Sequence, residues 1–355
     1  MKVNRTALSA ALRELARLAP SKPSIPILSH VLVHAENGTA TLTATDLTQR
    51  LSVELPAEGE INTCLPAKTL AALVKPESKN DTSVCVVDVE GGVANVVLDD
   101  ITTRLPALVP DDFPSSTEAA GLSLVALWPA RELSQALAYV LPAVSDDLTR
   151  PHLCGVCLVD GRAASTDGHR LHVAALPSAI AESSYLPIGA AASLARLLDR
   201  DGHVVLARTG DLLRVRCDNW TLDTKLKVEV FPPIDQVVPA VISMPTWVEV
   251  ESKLLVKALG RLAKITSQRL VKMTVNGAIT LSTSDPELGD AETAIPVVSS
   301  NHTGADFVAG FNSGYLVDAM NGVSGTAQLH LGGCLDPLRV DSDGGRIAIV
   351  MPARI

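Results

Sequence analysis

The chain has 355 residues, of which 47% are hydrophobic and 19% charged, so it can form two or three packed domains and is not a disordered polymer. No run approaches the ~18 uncharged apolar residues of a membrane span. Arg13, Glu14 and Arg17 interrupt the apolar N-terminal stretch, so we expect no signal peptide and a cytoplasmic protein. The net charge of −9 argues against a simple DNA-coating protein, which would be basic overall.

The predicted elements alternate between helices and groups of strands. The first helix follows from the helical spacing of Leu8, Leu12 and Leu15. Runs rich in Val and Thr predict antiparallel strands, and Gly91-Gly92 suits a hairpin turn between two of them. In chain order, the six predicted helices span 5–22, 66–79, 129–144, 189–200, 252–269 and 312–322. Helices lying on antiparallel sheet predict an α+β fold.

Three landmarks recur along the chain in the same order. The first is a strand that ends in Thr or Ser followed by Asp, at Asp46, Asp167 and Asp285, which are 121 and 118 residues apart. The second is an apolar residue followed by Pro, at 113–114, 231–232 and 351–352. The third is a strand-to-helix junction that begins near 64, 185 and 310. A period of about 120 residues predicts three homologous domains, at 1–120, 121–243 and 244–355.

Positive charge is concentrated in the predicted helices. They hold 15 of the 30 Lys and Arg residues but only 5 of the 39 Asp and Glu residues. Helix propensity alone does not explain this, because Glu is as good a helix former as Lys. A basic helical surface beside acidic sheets would hold a phosphate backbone without reading its sequence.

Two features of the sequence could indicate chemistry at a metal, redox or catalytic site. Cys154 and Cys157 have CxxC spacing, but without a second cysteine pair or a His cluster they are better explained as strand thiols than as a metal or redox site. An enzyme could use Asp167 and His169 with Ser165 or Thr166, but adjacent side chains on a strand or turn usually diverge. We therefore expect no catalytic residues, no metal and no cofactor.

Several motifs of the sequence resemble those of a known family, the bacterial sliding clamp, which is the β subunit of the DNA polymerase III holoenzyme. The resemblance spans essentially the whole chain. It depends most on 24–28 (SIPIL), 45–47 (TDL), 166–171 (TDGHRL), 231–232 (FP), 310–312 (GFN) and 350–355 (VMPARI).

The resemblance implies a head-to-tail homodimer, with three clamp-fold domains per subunit forming a six-domain ring around double-stranded DNA. The function implied is that of a replisome processivity factor without enzymatic activity. Polymerase subunits, the clamp loader and repair proteins would dock short apolar peptides between domains two and three. Matching positions place this peptide pocket at Leu153, Thr166, Gly168, His169, Arg170, Leu171, Pro232, Gln236, Val237, Asn312, Tyr315, Ile349, Met351, Pro352 and Arg354. In that pocket Arg170 and Arg354 would hold peptide polar groups at the rim.

The DNA and dimer surfaces are carried over in the same way. Lys22, Lys68, Arg150 and Arg196 match DNA-facing positions, and charge alone adds Lys253, Lys257, Arg261 and Lys264. Leu105 and Ile265 match the dimer contact.

Some residues depart from the family pattern. Thr103 and Lys264 stand where bulky apolar groups are usual at the dimer contact, and Gln236 replaces an arginine beside the pocket. These departures leave an alternative, a clamp-like paralogue or mobile-element clamp that acts as a peptide-binding scaffold with altered dimerisation or loading.

Overall fold

The computed structural model describes residues 1–76, 78, 81, 83–115, 121–244, 246–302 and 306–354. The chain divides into two compact units. Unit 1 comprises Met1–Ala130 and Arg200–Leu226, and unit 2 comprises Arg131–Asp199 and Lys227–Ile355. Each unit carries one large antiparallel sheet with helices packed on it, so the predicted α+β class is confirmed. The three-domain boundaries drawn from the sequence remain a prediction.

Seven α-helices form in the described residues. They are α1 (Arg5–Leu18), α2 (Ala67–Leu73), α3 (Ala130–Val140), α4 (Ile188–Leu197), α5 (Ile234–Val237), α6 (Ser252–Leu262) and α7 (Ser313–Ala319). Six of them lie where the sequence predicted helices, although each is shorter than its predicted span. The four-residue α5 was not predicted.

The strands are numbered along the chain. The first twelve are β1 (Lys2–Asn4), β2 (His30–Glu36), β3 (Thr39–Thr45), β4 (Gln49–Glu58), β5 (Ile61–Pro66), β6 (Val84–Glu90), β7 (Val93–Leu98), β8 (Ile101–Pro106), β9 (Ser123–Pro129), β10 (Gly155–Val159), β11 (Arg162–Thr166) and β12 (Arg170–Ala175). The others are β13 (Ser184–Pro187), β14 (His203–Thr209), β15 (Leu212–Cys217), β16 (Trp220–Lys225), β17 (Thr246–Glu251), β18 (Leu270–Val275), β19 (Ala278–Asp285), β20 (Gly289–Ser300), β21 (Phe307–Asn312), β22 (Thr326–Leu331), β23 (Leu338–Ser342) and β24 (Arg346–Val350).

Unit 1 has a sheet in the order β8-β7-β6-β1-β4-β16-β15-β14-β9, and β3, β2 and β5 branch from β4. As predicted, β6 and β7 are joined by a tight turn at Gly91 and Gly92, whose φ angles are +58° and +79°. Helix α1 begins at its cap Asn4, whose side chain accepts a hydrogen bond from the Ala7 N–H at 3.0 Å. Its predicted apolar face is buried in the core of this unit.

Unit 2 has a sheet in the order β13-β10-β11-β12-β24-β23-β22-β17-β20-β19-β18-β21. Helix α6 packs Leu255, Leu259 and Leu262 inward, while α7 is capped by Asn312, which accepts from the N–H groups of Gly314 and Tyr315. The helices supply the apolar residues that the inner faces of the strands need for burial.

One contact recurs with the sequence period and supports the internal repeat. A residue two or three positions beyond the last strand of a repeat bonds to an edge strand, as Leu108 pairs with Cys64 on β5 and Ala353 with Gly310 on β21. The second repeat uses a single bond, in which the Lys227 N–H donates to the Tyr185 carbonyl at 2.8 Å. The landmarks found in the sequence therefore occupy matching places in the backbone.

Of the two cysteines with CxxC spacing, Cys157 is buried and Cys154 is half-buried. Burial raises the pKa of the Cys157 thiol to about 11, and the Cys154 thiol donates to the Asp147 carbonyl at 3.2 Å. Within the described residues, no group of three His, Cys, Asp or Glu side chains is placed to hold a metal ion. No helix in those residues is long and apolar enough to cross a membrane.

Candidate peptide site and basic surfaces

The centre of the candidate site is a buried apolar cluster in unit 2. Leu171 on β12 and Ile349 on β24 are cross-strand partners, and each is only 2% exposed. Ala164, Val173 and Ile234 complete the cluster. We call this cluster, together with the rim described below, the apolar site. Ile234 lies on α5 and was missed by the sequence analysis, because a four-residue helix has no detectable periodicity.

The rim of the apolar site is exposed. Val237 is on the same short helix as Ile234 and is 46% exposed, and Met351 follows β24 and is 43% exposed. His169, Gln236 and Arg354 are exposed, and Pro232 and Pro352 are half-buried. The site thus has a buried apolar floor beside exposed apolar side chains, and such an arrangement can bind an apolar side chain.

A tight turn at 166–170 sets one side of the site. The Thr166 hydroxyl donates to the Arg170 carbonyl at 2.6 Å, and Asp167 Oδ1 accepts from the His169 and Arg170 N–H groups at 2.8 and 3.0 Å. Gly168 has φ +91°, a conformation that side chains rarely adopt. The His169 carbonyl accepts from the Met351 N–H at 2.9 Å, so the turn also positions the segment after β24.

Arg170 is more enclosed than the other rim residues, and its role in holding a peptide stays a prediction. Its guanidinium bonds Asp167 through Nε at 3.0 Å, Asp318 through Nη1 and the Pro142 carbonyl through Nη2. It also lies 4.3 Å above the Tyr315 ring, and only 11% of the side chain is exposed. Through these three hydrogen bonds inside the protein, Arg170 holds the turn onto α7.

Three more predicted pocket residues have structural roles. Leu153 is 5% exposed, Asn312 caps α7, and Tyr315 supports Arg170. Beneath them His172 is fully buried, with its ring 5.1 Å from that of Tyr139 and Nδ1 2.9 Å from the Tyr139 carbonyl oxygen. Burial lowers the pKa of His172 to about 4, so this histidine is neutral near pH 7.

The same turn argues against the enzymatic alternative. The Asp167 carboxylate accepts hydrogen bonds from two backbone N–H groups and from Arg170. Among the described residues, it makes no hydrogen bond with the His169 ring. Ser165 is fully buried and donates to the Val140 carbonyl, and Thr166 donates to the Arg170 carbonyl. Asp167 and Thr166 thus stabilise the turn and Ser165 is bonded to the end of α3, an arrangement that does not pair an acid or base with a nucleophile.

The predicted DNA-facing residues are mostly exposed. In unit 1, Lys68 donates to the Ser21 hydroxyl, and Lys22 is the next residue along the chain. In unit 2, Arg150 is half-buried and bonds Asp147 at 2.8 Å, while Arg196 is exposed on α4.

Helix α6 carries the longest basic stripe. Lys253, Lys257 and Arg261 recur every four residues on the face opposite its buried leucines, and Lys264 follows in the next turn. All four are exposed.

The helices as formed hold fewer charges than the predicted windows, nine Lys and Arg against four Asp and Glu. Arg5 does not contribute to an outer surface, since it is buried and bonds Asp99 and the Lys75 carbonyl.

At the predicted dimer contact, Leu105 is only 5% exposed within its own unit, while Ile265 is half-buried. Ile101, on the same strand as Leu105, is 65% exposed. Nothing in the sequence distinguishes the exposure of Ile101 from that of Leu105, since both residues are apolar.

Comparison with known proteins identifies the family. Residues 1–117 match the family model for the DNA polymerase III beta subunit, N-terminal domain, and residues 236–344 match the model for its C-terminal domain. A beta sliding clamp of Caulobacter vibrioides is 29% identical over 378 residues, covering 99% of each chain. The chain belongs to the beta sliding clamp family. That family supplies a non-catalytic subunit, which confirms that this clamp is not an enzyme.

Solved beta clamps share the fold over the full length. A DnaN sliding clamp from Bartonella birtlesii, bound to griselimycin, has a TM-score of 0.90 at 25% identity, with 100% of this chain and 99% of that chain covered. A DNA polymerase sliding clamp from Caulobacter crescentus has a TM-score of 0.86 at 27% identity, with the same coverage. The family resemblance drawn from the sequence is therefore confirmed.

Proposed function

We propose that this beta clamp is a processivity factor that encircles duplex DNA as a head-to-tail homodimer. Membership of the beta sliding clamp family is the single observation that carries this proposal. In it, three domains per subunit, at 1–120, 121–243 and 244–355, make a six-domain ring that acts in the cytoplasm at the replisome. Polymerase subunits, the clamp loader and repair proteins are the partners.

The apolar site supports the tethering part of the proposal. Leu171 and Ile349 at its floor are already shielded from water. An incoming apolar side chain can therefore bury its own surface against the site without any rearrangement of the core. Met351 can change rotamer to accommodate different partners, because its thioether chain is unbranched. An extended peptide with leucine and phenylalanine side chains fits this chemistry.

The stripe on α6 supports contact with DNA. Lys253, Lys257 and Arg261 form a row of exposed positive charge, and the helix holds no Asp or Glu. Such a row attracts phosphates without reading bases, so it permits movement along the duplex.

Two strand edges support association with a second copy. Strand β8 ends the sheet of unit 1, and β20 pairs with β19 along 289–296 without a second described partner over that stretch. Exposed edges are templates for pairing between chains. Arg104 on β8 and Glu292 on β20 are exposed and opposite in charge, which favours β8 of one copy beside β20 of the next.

Sedimentation equilibrium from nanomolar to micromolar concentration tests the dimer. A mass of about twice 37.2 kDa supports the ring. A monomer that still binds the apolar peptide would instead support the scaffold alternative.

A second experiment tests the apolar site. Met351→Ala should weaken binding of a fluorescein-labelled pentapeptide of leucine and phenylalanine by about ten-fold, as measured by fluorescence anisotropy. The reason is that the variant removes apolar surface that the Met351 side chain would bury against the peptide. Exposed Val241→Ala is the matched control, and equal affinity of both variants would contradict the site.

A further inference from the structure

The first repeat contains a second copy of the turn that borders the apolar site. The Thr45 hydroxyl donates to the Gln49 carbonyl at 2.8 Å, and the Leu47 N–H donates to the Thr45 hydroxyl at 3.1 Å. Asp46 Oδ1 accepts from the Thr48 and Gln49 N–H groups at 2.9 and 2.8 Å. Each bond has its equivalent at 166–170. Residues 45–50 therefore stand in unit 1 where 166–171 stand in unit 2.

The strand pairing after the turn corresponds as well. Arg50 on β4 faces Asp223 on β16, as Leu171 faces Ile349. The Lys225 N–H donates to the Thr48 carbonyl at 3.1 Å, as the Met351 N–H donates to the His169 carbonyl.

The chemistry differs at every one of these positions. Arg50, Asp223 and Lys225 stand where the apolar site has Leu171, Ile349 and Met351, listed in matching order. The architecture is kept and its lining is converted from apolar to charged.

A cavity of about 90 Å³ lies at this place, and we call it the polar pocket. Its lining includes Leu47, Thr48, Gln49, Arg50, Asp223 and Lys225. A water molecule takes about 30 Å³ in the liquid, so the space suits a carboxylate or a peptide group and not a large apolar side chain.

One acceptor in the lining has no partner. Gln49 is 6% exposed, and its Oε1 finds no hydrogen-bond donor among the described residues, although its Nε2 donates to Asp46 at 3.2 Å. A buried carbonyl oxygen without a hydrogen-bond donor destabilises the protein, and a ligand N–H that donated to this oxygen would remove that cost.

The charge balance favours an anion beside that N–H. Arg214, on the adjacent strand β15, binds Asp223 through two hydrogen bonds of 2.7 and 2.6 Å, so the negative charge of Asp223 is compensated by a residue outside the pocket lining. The positive charges of Arg50 and Lys225 remain at the pocket, with Arg50 also donating to the Pro114 carbonyl at 2.7 Å.

We propose that the polar pocket is a second docking site, which binds an acidic residue of an extended partner peptide. The carboxylate lies against Arg50 and Lys225, and the N–H of the peptide donates to Gln49 Oε1. Leu47, 52% exposed, supports the adjacent aliphatic part. The peptide class rests on the proposed function of the apolar site, whereas the preference for an acidic residue rests on the polar pocket alone.

The test is a nuclear magnetic resonance titration of the full-length ¹⁵N-labelled protein with N-acetyl-glutamate N-methylamide. The expected result is a saturable shift of the Gln49 side-chain amide and the Thr48 backbone amide, with millimolar affinity, the range expected for so small a probe. The glutamine analogue of the probe, which lacks the charge, should bind at least five-fold more weakly.

Lys225→Met is the informative variant, because it installs the side chain found at the matching position and alters an exposed residue that does not hold the fold. It should weaken the glutamate probe at least three-fold and leave the glutamine analogue unchanged. An unmoved Gln49 resonance at saturating probe, or equal affinity for both probes, overturns the proposal. A parallel titration with the pentapeptide of leucine and phenylalanine, followed at the Met351 resonance, tests the apolar site independently. If the apolar site is wrongly assigned, the Met351 resonance does not shift, whatever the result with the glutamate probe.

Discussion

Substitution of Gly168 by alanine tests the turn that borders the apolar site. At φ +91° an L-residue pays roughly 1–2 kcal/mol for the backbone conformation. The added Cβ would also lie 3.0 Å from Arg150 Nη1, so the guanidinium must move although its Nε is bonded to Asp147 at 2.8 Å. This crowding adds on the order of 0.5–1 kcal/mol, the cost of an off-rotamer side chain.

Gly277→Ala is the matched control. Gly277 lies in the same unit at φ +97°, and an added Cβ there meets nothing within 4 Å. Denaturant unfolding should therefore show Gly168→Ala to be the less stable of the two variants, and adding Arg150→Ala should remove the difference.

The pentapeptide assay separates the turn's two roles. Gly168→Ala should weaken peptide binding several-fold, since the turn positions Met351 through the His169 carbonyl, while Gly277→Ala should not. Equal destabilisation of the two variants together with unchanged peptide affinity would refute the reasoning.

Three further predictions follow from named groups. Burial lowers the pKa of His172 to about 4, so the free energy of unfolding should be at its full value above pH ~6.5 and fall by up to about 3 kcal/mol as the pH drops toward 4. His172→Gln should flatten this pH dependence in denaturant unfolding measured at a series of pH values. Hydrogen bonds from the N–H groups of Ser267 and Glu287 lower the pKa of Asp285 to about 2, so Asp285→Asn should lower the melting temperature above pH 4. The difference in melting temperature between the variant and the unchanged protein should shrink as the pH falls toward 2, and a constant difference would contradict this. Reversing Lys253 and Lys257 to Glu should reduce the salt slope of duplex binding by about two in anisotropy, while an unchanged slope would remove α6 from the DNA surface.

The sequence predicted the architecture well because repetition amplifies weak signals. Asp46, Asp167 and Asp285 were each unremarkable, yet their common spacing marked three equivalent turns. In the structure, Asp46 and Asp167 accept the same backbone hydrogen bonds.

Individual side chains were harder to predict, because burial and partners depend on the tertiary structure. Arg170 and Arg354 looked alike in the sequence, but the first is enclosed by Asp167 and Asp318 and the second is exposed. Leu105 looked like a surface contact and is buried within its own unit.

The polar pocket was invisible in the sequence for a related reason. Arg50 and Asp223 are 173 positions apart, and only the pairing of β4 with β16 shows that they replace an apolar pair. The recurrence of the turn could have pointed to the place, but not to the unpartnered oxygen of Gln49.

The most direct test of the central proposal is retention on DNA that has no ends. The protein is loaded onto nicked circular duplex by a clamp loader, separated from free protein, and measured again after a restriction enzyme linearises the circle. A ring that encircles DNA stays on the circle at high salt and leaves through the free ends on linearisation. Protein that dissociates equally fast from circular and linear DNA contradicts encirclement and leaves a clamp-fold protein that binds peptides.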